Sequence, residues 1–276
     1  MTLEPIFQDK TYLREQQYSD SRNLDARAAL HRDFSTSPLD WQTWVFTQLG
    51  LEPDTAVLEC GCGPGWLWRQ NLGRIPANCA ITLTDLSPGM VAEAEAALTG
   101  SGINFHVREA NIETLPFADD SFDVMVANHM LYHVPHLDNA LAEIRRVLKP
   151  NGRLFAATNG DNHMRELKDL AQNIVGQAVS HTWPQLAFRL ENGRDLLAPY
   201  FEDVSVVMFA DGLAVTAVEP LMAYLRSMTL FSILQTDDMA SQIAALEQHI
   251  ADTIADQGAY HIQKETGLFK AHNGRV

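Results

Sequence analysis

Basic residues are scarce in this chain: 20 lysines and arginines stand against 35 aspartates and glutamates, for a formal net charge of -15 over 276 residues. That balance repels phosphate backbones and anionic lipid surfaces, so no nucleic acid and no membrane partner is expected. No window approaches about eighteen uninterrupted apolar residues, the length that reads as a membrane span. The start, Met1 to Lys10, lacks a basic region followed by an apolar run. A soluble, cytoplasmic protein is the expectation. Cysteine is nearly absent as well, with 3 in the whole chain; that is no disulfide framework and suits a reducing compartment. Two of them form Cys60-Gly-Cys62, but a zinc site draws on clustered Cys and His ligands, and a second thiol pair is missing, so no metal is expected. What is present is 46% hydrophobic, enough for one large α/β domain with additions.

The most informative residues are Val57-Leu-Glu-Cys-Gly-Cys-Gly-Pro-Gly65, an aliphatic strand that runs into three alternate glycines. Glycine has no Cβ and tolerates positive φ, so this turn lets the backbone approach a ligand at the strand's carboxyl end. A dinucleotide fingerprint would need a further glycine where Trp66 stands, which argues against a pyrophosphate ligand. Downstream, Cys79-Ala-Ile-Thr-Leu-Thr-Asp85 is a second aliphatic strand closing on a carboxylate that can accept two ribose hydroxyls. Then follow Arg108 to Phe117, Asp119 to Asn128 and Leu148 to Phe155 in an ordered series.

In that series the chain resembles the class I S-adenosylmethionine-dependent methyltransferases, in the small-molecule branch that includes the ubiquinone and menaquinone C-methyltransferases. The resemblance spans about residues 50 to 160. It implies S-adenosyl-L-methionine as cofactor and S-adenosyl-L-homocysteine as product. It also implies that Glu59 orients the glycine loop near the methionine amino group, and that Gly61, Cys62, Gly63 and Gly65 lie against the methionine moiety. Asp85 would take the ribose hydroxyls and Leu86 one adenine face. Asn111, where the family most often has aspartate, would accept from the adenine amino group, and Ile112 would offer its N–H and an apolar surface. Asn128 would face the methyl group. The fold it implies is α/β: a Rossmann-like, doubly wound, seven-stranded sheet whose last strand is antiparallel.

Periodicity places the rest around that core. Residues 1–50 read as a helical N-terminal lid, with Leu24, Ala28 and His31 on one helix face and with Tyr12, Tyr18 and His31 as candidates to close over the methyl donor. Residues 51–160 read as the cofactor-binding core. Ser87 caps and Pro88 opens a helix that buries Met90, Val91, Ala94 and Leu98. Strands are expected near Ile103 to Arg108, Phe122 to Ala127 and Arg153 to Thr158, with a helix from Leu137 to Leu148. Residues 161–276 read as the remainder of the sheet with helical cap insertions. These comprise a strand at Val204 to Phe209, an excursion over roughly 218–257 carrying Met222, Leu225, Met228, Phe231 and Leu234, and a closing strand pair, Tyr260 to Lys264 with Gly267 to Ala271. All of this forms one structural domain.

Methyl transfer asks chiefly for in-line positioning, and for a base only where the nucleophile must lose a proton. The candidates are His129 and His133 in Asn128-His-Met-Leu-Tyr-His133, just past the fourth strand, together with Tyr18; His133 matches a histidine the resembled family often carries. Asn159, Asn162 and His163 either line the acceptor pocket or serve as turn and cap residues. The expected partner is a small-molecule acceptor, a metabolite or natural-product intermediate, with O, N and C acceptors all open; a homodimer is compatible with the sequence. Two other classes compete: an NAD(P)-dependent oxidoreductase and a catalytically silent S-adenosylmethionine-binding regulatory protein.

Overall fold

A computed structural model describes residues 8–175, 186–227 and 239–274. Strand β1 (Ala56–Cys60) pairs in parallel with β2 (Ala80–Asp85) and β4 (Phe122–Asn128); β2 pairs with β3 (Phe105–Glu109) and β4 with β5 (Leu148–Asn159), all parallel. Strand β9 (Thr266–His272) runs antiparallel between β5 and β6 (Glu202–Phe209), giving the order β3-β2-β1-β4-β5-β9-β6. The expected seven-stranded sheet with its last strand antiparallel is therefore present.

The central strands read as unbroken apolar runs because both faces are covered. Val57, Val124 and Val126 point into one core with Val45, Phe46 and Leu49 of α2 (Trp41–Leu49) and Ala94 and Leu98 of α4 (Pro88–Leu98). Leu58, Met125 and Ala127 point into the other, with Leu141, Ile144 and Val147 of α5 (Leu137–Val147). Ser87 caps α4 by accepting from Met90 N–H, with Pro88 opening the first turn; Val91 is only partly buried, unlike the other three expected core positions. Helix α2 thus belongs to the sheet's own covering layer. It is held by an Asp40 cap that accepts from Thr43 N–H and by Gly50 in the left-handed region that ends it.

A third core lies outside the sheet. Leu30 of α1 (Arg22–Phe34), Leu167 and Leu170 of α6 (Arg165–Val175), Leu221, Met222 and Leu225 of α8 (Val218–Ser227), and Leu246 and Ile250 of α9 (Met239–Gln257) pack together. They share it with Leu213 and Val215 of β7 (Gly212–Val215) and Tyr260 and Ile262 of β8 (Tyr260–Gln263). At about 1.5–3 kcal/mol per buried aliphatic side chain, this core holds the amino-terminal helix and the carboxy-terminal excursion as one cap. A short helix α3 (Trp66–Arg69) follows the glycine turn and α7 (Gly193–Leu197) precedes β6.

Two expectations are corrected. The closing pair does not pair with itself: Tyr260–Gln263 bonds antiparallel to Gly212–Val215 in a separate two-stranded sheet, whereas Thr266–His272 inserts between β5 and β6. Register between distant segments decided this, and β7 has only four residues to announce itself. Strand β5 also begins at Leu148 rather than at Arg153, because the Asn151-Gly152 turn is drawn into pairing with Asn273 near the other end of the chain. Met228, Phe231 and Leu234 lie outside the described residues.

Candidate active site

In a parallel sheet the ligand crevice opens at the strands' carboxyl ends. Here those ends present Asp85 on β2, Glu59 on β1, Asn128 on β4 and Asn159 on β5, with Thr266 at the start of the antiparallel β9 beside them. All five line a single cavity of about 700 Å³. Neighbouring strands lie about 4.8 Å apart, so the row also orders the site: the Asp85 end is separated from the Asn159 and Thr266 end by the glycine turn and Asn128.

The glycine turn has the conformation its residues imply. Gly61, Gly63 and Gly65 have φ of +67°, +54° and +73°. A Cβ on Gly61 would stand 2.7 Å from Met130 Cβ, so the loop after β4 closes directly onto bare backbone. Cys62 N–H donates to Thr84 O at 3.0 Å. Asp85 completes the brace: Gly63 N–H donates to Oδ2 at 2.9 Å and Ser87 N–H to Oδ1 at 2.9 Å. Burial pushes the Asp85 carboxyl up, and the N–H groups of Ser87, Gly63 and Leu86 pull the other way. One carboxylate therefore ties the glycine turn to the start of α4.

Glu59 is buried, and Trp68 Nε1–H donates to its Oε2 at 2.6 Å. Desolvation outweighs that bond and raises its pKa to about 8. Burial likewise raises Cys60 to about 12 and Cys62 well above its ordinary value, so both are thiols at neutral pH. Among the described residues no group of three His, Cys, Asp or Glu is arranged to hold a metal. Leu86, Asn111 and Ile112 line the cavity, and the Asn111 Oδ1 accepts from Glu113 N–H at 3.1 Å within its own turn.

On β4 the Asn128 amide is fully oriented by α2. Trp41 Nε1–H donates to its Oδ1 at 3.1 Å and its Nδ2 donates to Gln42 Oε1 at 3.3 Å. His129 sits at φ +58°, in the left-handed region that few non-glycine residues adopt and where histidine is enriched. Its ring packs on Trp41 at 5.0 Å, and burial lowers its pKa to about 4, so it is a neutral base at pH 7. His133 Nε2 lies 3.0 Å from Tyr18 Oη.

Tyr18 arrives from the amino-terminal segment, which is strapped across the ends of β2, β3 and β4. Lys10 pairs with Glu113, Arg14 with Glu109 at 3.1 Å, Ser87 Oγ–H donates to Tyr18 O at 2.7 Å, and Ser21 N–H donates to Glu93 Oε1 at 3.1 Å. Tyr12 is not on the cavity wall and approaches Gln17 instead, at 3.4 Å. Tyr18 and His31 are on the wall, as are Asn159 and His163, whereas Asn162 is not. The residues that sequence reasoning missed are Trp41 and Gln42, which orient Asn128, and Arg27, Asp211, Tyr224 and Lys264, which come from the cap and its edges. The aromatic cluster at Trp41 and Trp44 was a signal for the first; nothing local marks the others.

Known proteins agree with this geometry. Residues 58–156 match the methyltransferase domain family. The ubiquinone/menaquinone biosynthesis C-methyltransferase UbiE of Bordetella avium is 33% identical over 115 residues, covering 42% of this chain and 45% of that protein. The chain thus spans about half the length of the curated relatives it matches. Among solved structures, phosphoethanolamine N-methyltransferase 2 of Haemonchus contortus, in complex with phosphomonomethylethanolamine and S-adenosylhomocysteine, superposes with a TM-score of 0.58 at 19% identity. That superposition covers 98% of this chain and 60% of that one. The [4+2]-cyclase SpnF superposes with a TM-score of 0.56 at 16% identity over 94% of both chains, so the fold alone does not choose the reaction. The glycine turn, its Asp85 brace and the ordered sheet behind them lie within the matched residues 58–156, so the core of this chain is similar to S-adenosylmethionine-dependent methyltransferases in both sequence and fold.

Proposed function

We propose that the chain transfers a methyl group from S-adenosyl-L-methionine to a small-molecule acceptor. The observation that carries this reading is one continuous cavity that joins the braced glycine turn to His129, His133 and Tyr18 beneath the cap. The residues fit the cofactor. Gly61, Gly63 and Gly65 hold positive φ that a Cβ would strain; Gly61 and Gly63 border the cavity, whereas Gly65 packs against Ala94 and Leu98 of α4 and is off its wall. Asp85 supplies a carboxylate, and Leu86 and Ile112 supply apolar faces. Trp66 occupies the place of the further glycine that a pyrophosphate ligand would need, which disfavours the oxidoreductase alternative.

When bound, S-adenosylmethionine supplies an electrophilic methyl carbon on a cationic sulfur. The protein's part is to hold the acceptor atom in line and keep water out, and holding reactants at near-attack distance supplies much of the acceleration. Asn128 is locked by Trp41 and Gln42 and so presents a fixed amide beside that point. As the new bond forms, an O–H or N–H acceptor must lose its proton. Tyr18 and His133, already hydrogen-bonded, are the pair placed to take it. His129 is a second neutral imidazole on the same wall.

Calorimetric titration with S-adenosylmethionine and S-adenosylhomocysteine, with NAD as control, tests the reading, followed by a screen of acceptors with labelled methyl donor. Micromolar binding of both sulfur ligands, about -8 kcal/mol, and none of NAD is expected. Binding of NAD alone sinks the proposal. Tight binding without transfer to any acceptor would favour the regulatory alternative.

Glu59 adds a pH signature. A ligand ammonium beside a carboxyl whose pKa stands near 8 favours the ionised form, so binding of S-adenosylhomocysteine at pH 7 is expected to release up to about one proton. The release disappears above pH 8, where the free protein has already lost that proton. Binding enthalpies measured in phosphate and in Tris should differ accordingly, and equal enthalpies would show that Glu59 lies outside the ligand's field.

A further inference from the structure

The β5 and β9 side of the cavity is built from groups the methyl-donor site does not use. His31 of α1, His163 after β5 and Tyr224 of α8 meet there, with ring centroids 6.2 Å apart between the two histidines and 5.9 Å between His31 and Tyr224. The buried Nδ1 of His31 has no hydrogen-bond partner among the described residues. A buried polar atom left so costs about 1–3 kcal/mol, which a ligand group can recover. His163 is in a defined tautomer. Its Nδ1 accepts from Glu265 N–H at 3.2 Å, so that nitrogen is bare and the ring proton of the neutral imidazole is on Nε2. Burial, together with Lys264, keeps both rings neutral, His31 with a pKa lowered to about 3.

The surrounding charge is positive. Lys264 and Asp211 form a buried ion pair, and the Asp211 carboxylate also accepts from Ser35 Oγ–H, Ser37 N–H and Gly212 N–H at 2.7, 3.1 and 2.8 Å. That carboxylate is thus surrounded by donors of its own. Arg27, always charged, lies on the same wall with its guanidinium 5.8 Å from the Tyr18 ring, and Lys168 lines the edge together with Asp161. With His31 in its Nδ1–H tautomer, two neutral N–H donors on a wall where Lys264 and Arg27 add positive field suit an oxyanion better than a neutral hydroxyl.

We propose that His31 Nδ1–H and His163 Nε2–H form a carboxylate subsite that anchors an acid group of the methyl acceptor, with Arg27 and Lys264 supplying the compensating field. The assignment rests on the methyltransferase reading for the word acceptor, but the subsite is a property of the pocket itself. It explains why α1 carries a buried histidine into the cavity, and it selects acceptors that bear a carboxylate on the side away from the Asp85 end.

The test uses matched pairs of carboxylic acid and primary amide, benzoate with benzamide and 3-phenylpropanoate with 3-phenylpropanamide, titrated into the full chain saturated with S-adenosylhomocysteine. The acid should bind at least about tenfold more tightly than its amide, a difference of about 1.4 kcal/mol. His31→Phe keeps a ring but removes Nδ1 and should reduce the preference to below about threefold, whereas His31→Asn, which places an amide N–H near the Nδ1 position, should retain most of it. S-adenosylhomocysteine affinity and thermal melting should match the unaltered protein in both. Equal binding of acid and amide, binding of neither, or an undiminished preference in His31→Phe overturns the subsite. If S-adenosylhomocysteine itself fails to bind the unaltered protein, the methyltransferase reading fails instead, and the acid preference is then required of the ligand-free protein.

Discussion

Asp85→Ala is expected to weaken S-adenosylhomocysteine binding by at least about a hundredfold, equivalent to about 2.7 kcal/mol. The carboxylate receives two N–H bonds at 2.9 Å, one from the glycine turn and one from the start of α4. Hydrogen bonds to a charged group contribute about 1.5–3 kcal/mol each, and here both hold backbone that must be preformed before a ligand arrives. The substitution therefore removes the proposed ribose contact and releases Gly63 at the same time. Asp85→Asn keeps one acceptor oxygen and should lose about tenfold. Calorimetric titration with melting curves alongside separates the contributions. If Asp85→Ala melts lower yet binds within about threefold of the native protein, the carboxylate is a brace alone and the ribose role falls.

The second large effect is on turnover. Tyr18→Phe and His133→Ala should each lower kcat by about 10²–10³, the range of a general acid-base group, for an acceptor whose nucleophile carries a proton. The two share one hydrogen bond of 3.0 Å, so the double variant should cost little more than either single change. Cofactor affinity should stay within about threefold in all three, since neither side chain braces the glycine turn. Fully additive losses would mean the residues act separately, and unchanged turnover would remove the pair from the reaction. A carbon acceptor already activated by its own substituents should be far less sensitive, so the size of the loss also reports the acceptor's atom type.

Much of the cofactor side was legible because its signals are local. Strand, turn and acid stand within a few residues of one another in Val57 to Gly65 and in Cys79 to Asp85. Their chemistry follows from glycine's missing Cβ and from a carboxylate at a strand end. The apolar runs of β1 and β4 announced strands buried on both faces, and Ser87-Pro88 announced a helix start that the structure has. Tyr12 was misplaced because a helical turn turned it away from the cavity that Tyr18, six residues on, reaches.

The β5 and β9 side of the cavity was not legible in the same way. Each of its members is unremarkable where it stands in the chain: His31 is one residue on a helix face, Lys264 and Asp211 are 53 apart, and His163 sits in a turn. Only the insertion of β9 beside β5 and the pairing of β7 with β8 bring Lys264 to Asp211 and place His163 against α1. The sequence by itself determined the glycine turn and the acid at the end of β2, because each needs chiefly its own neighbours to take shape. The tertiary structure alone decided the β5 and β9 side of the cavity. The burial that neutralises its histidines, the Lys264–Asp211 ion pair in its wall and the cap core that holds them together all depend on contacts between segments distant in the chain, 53 residues apart for the ion pair and more than a hundred for His31 against His163.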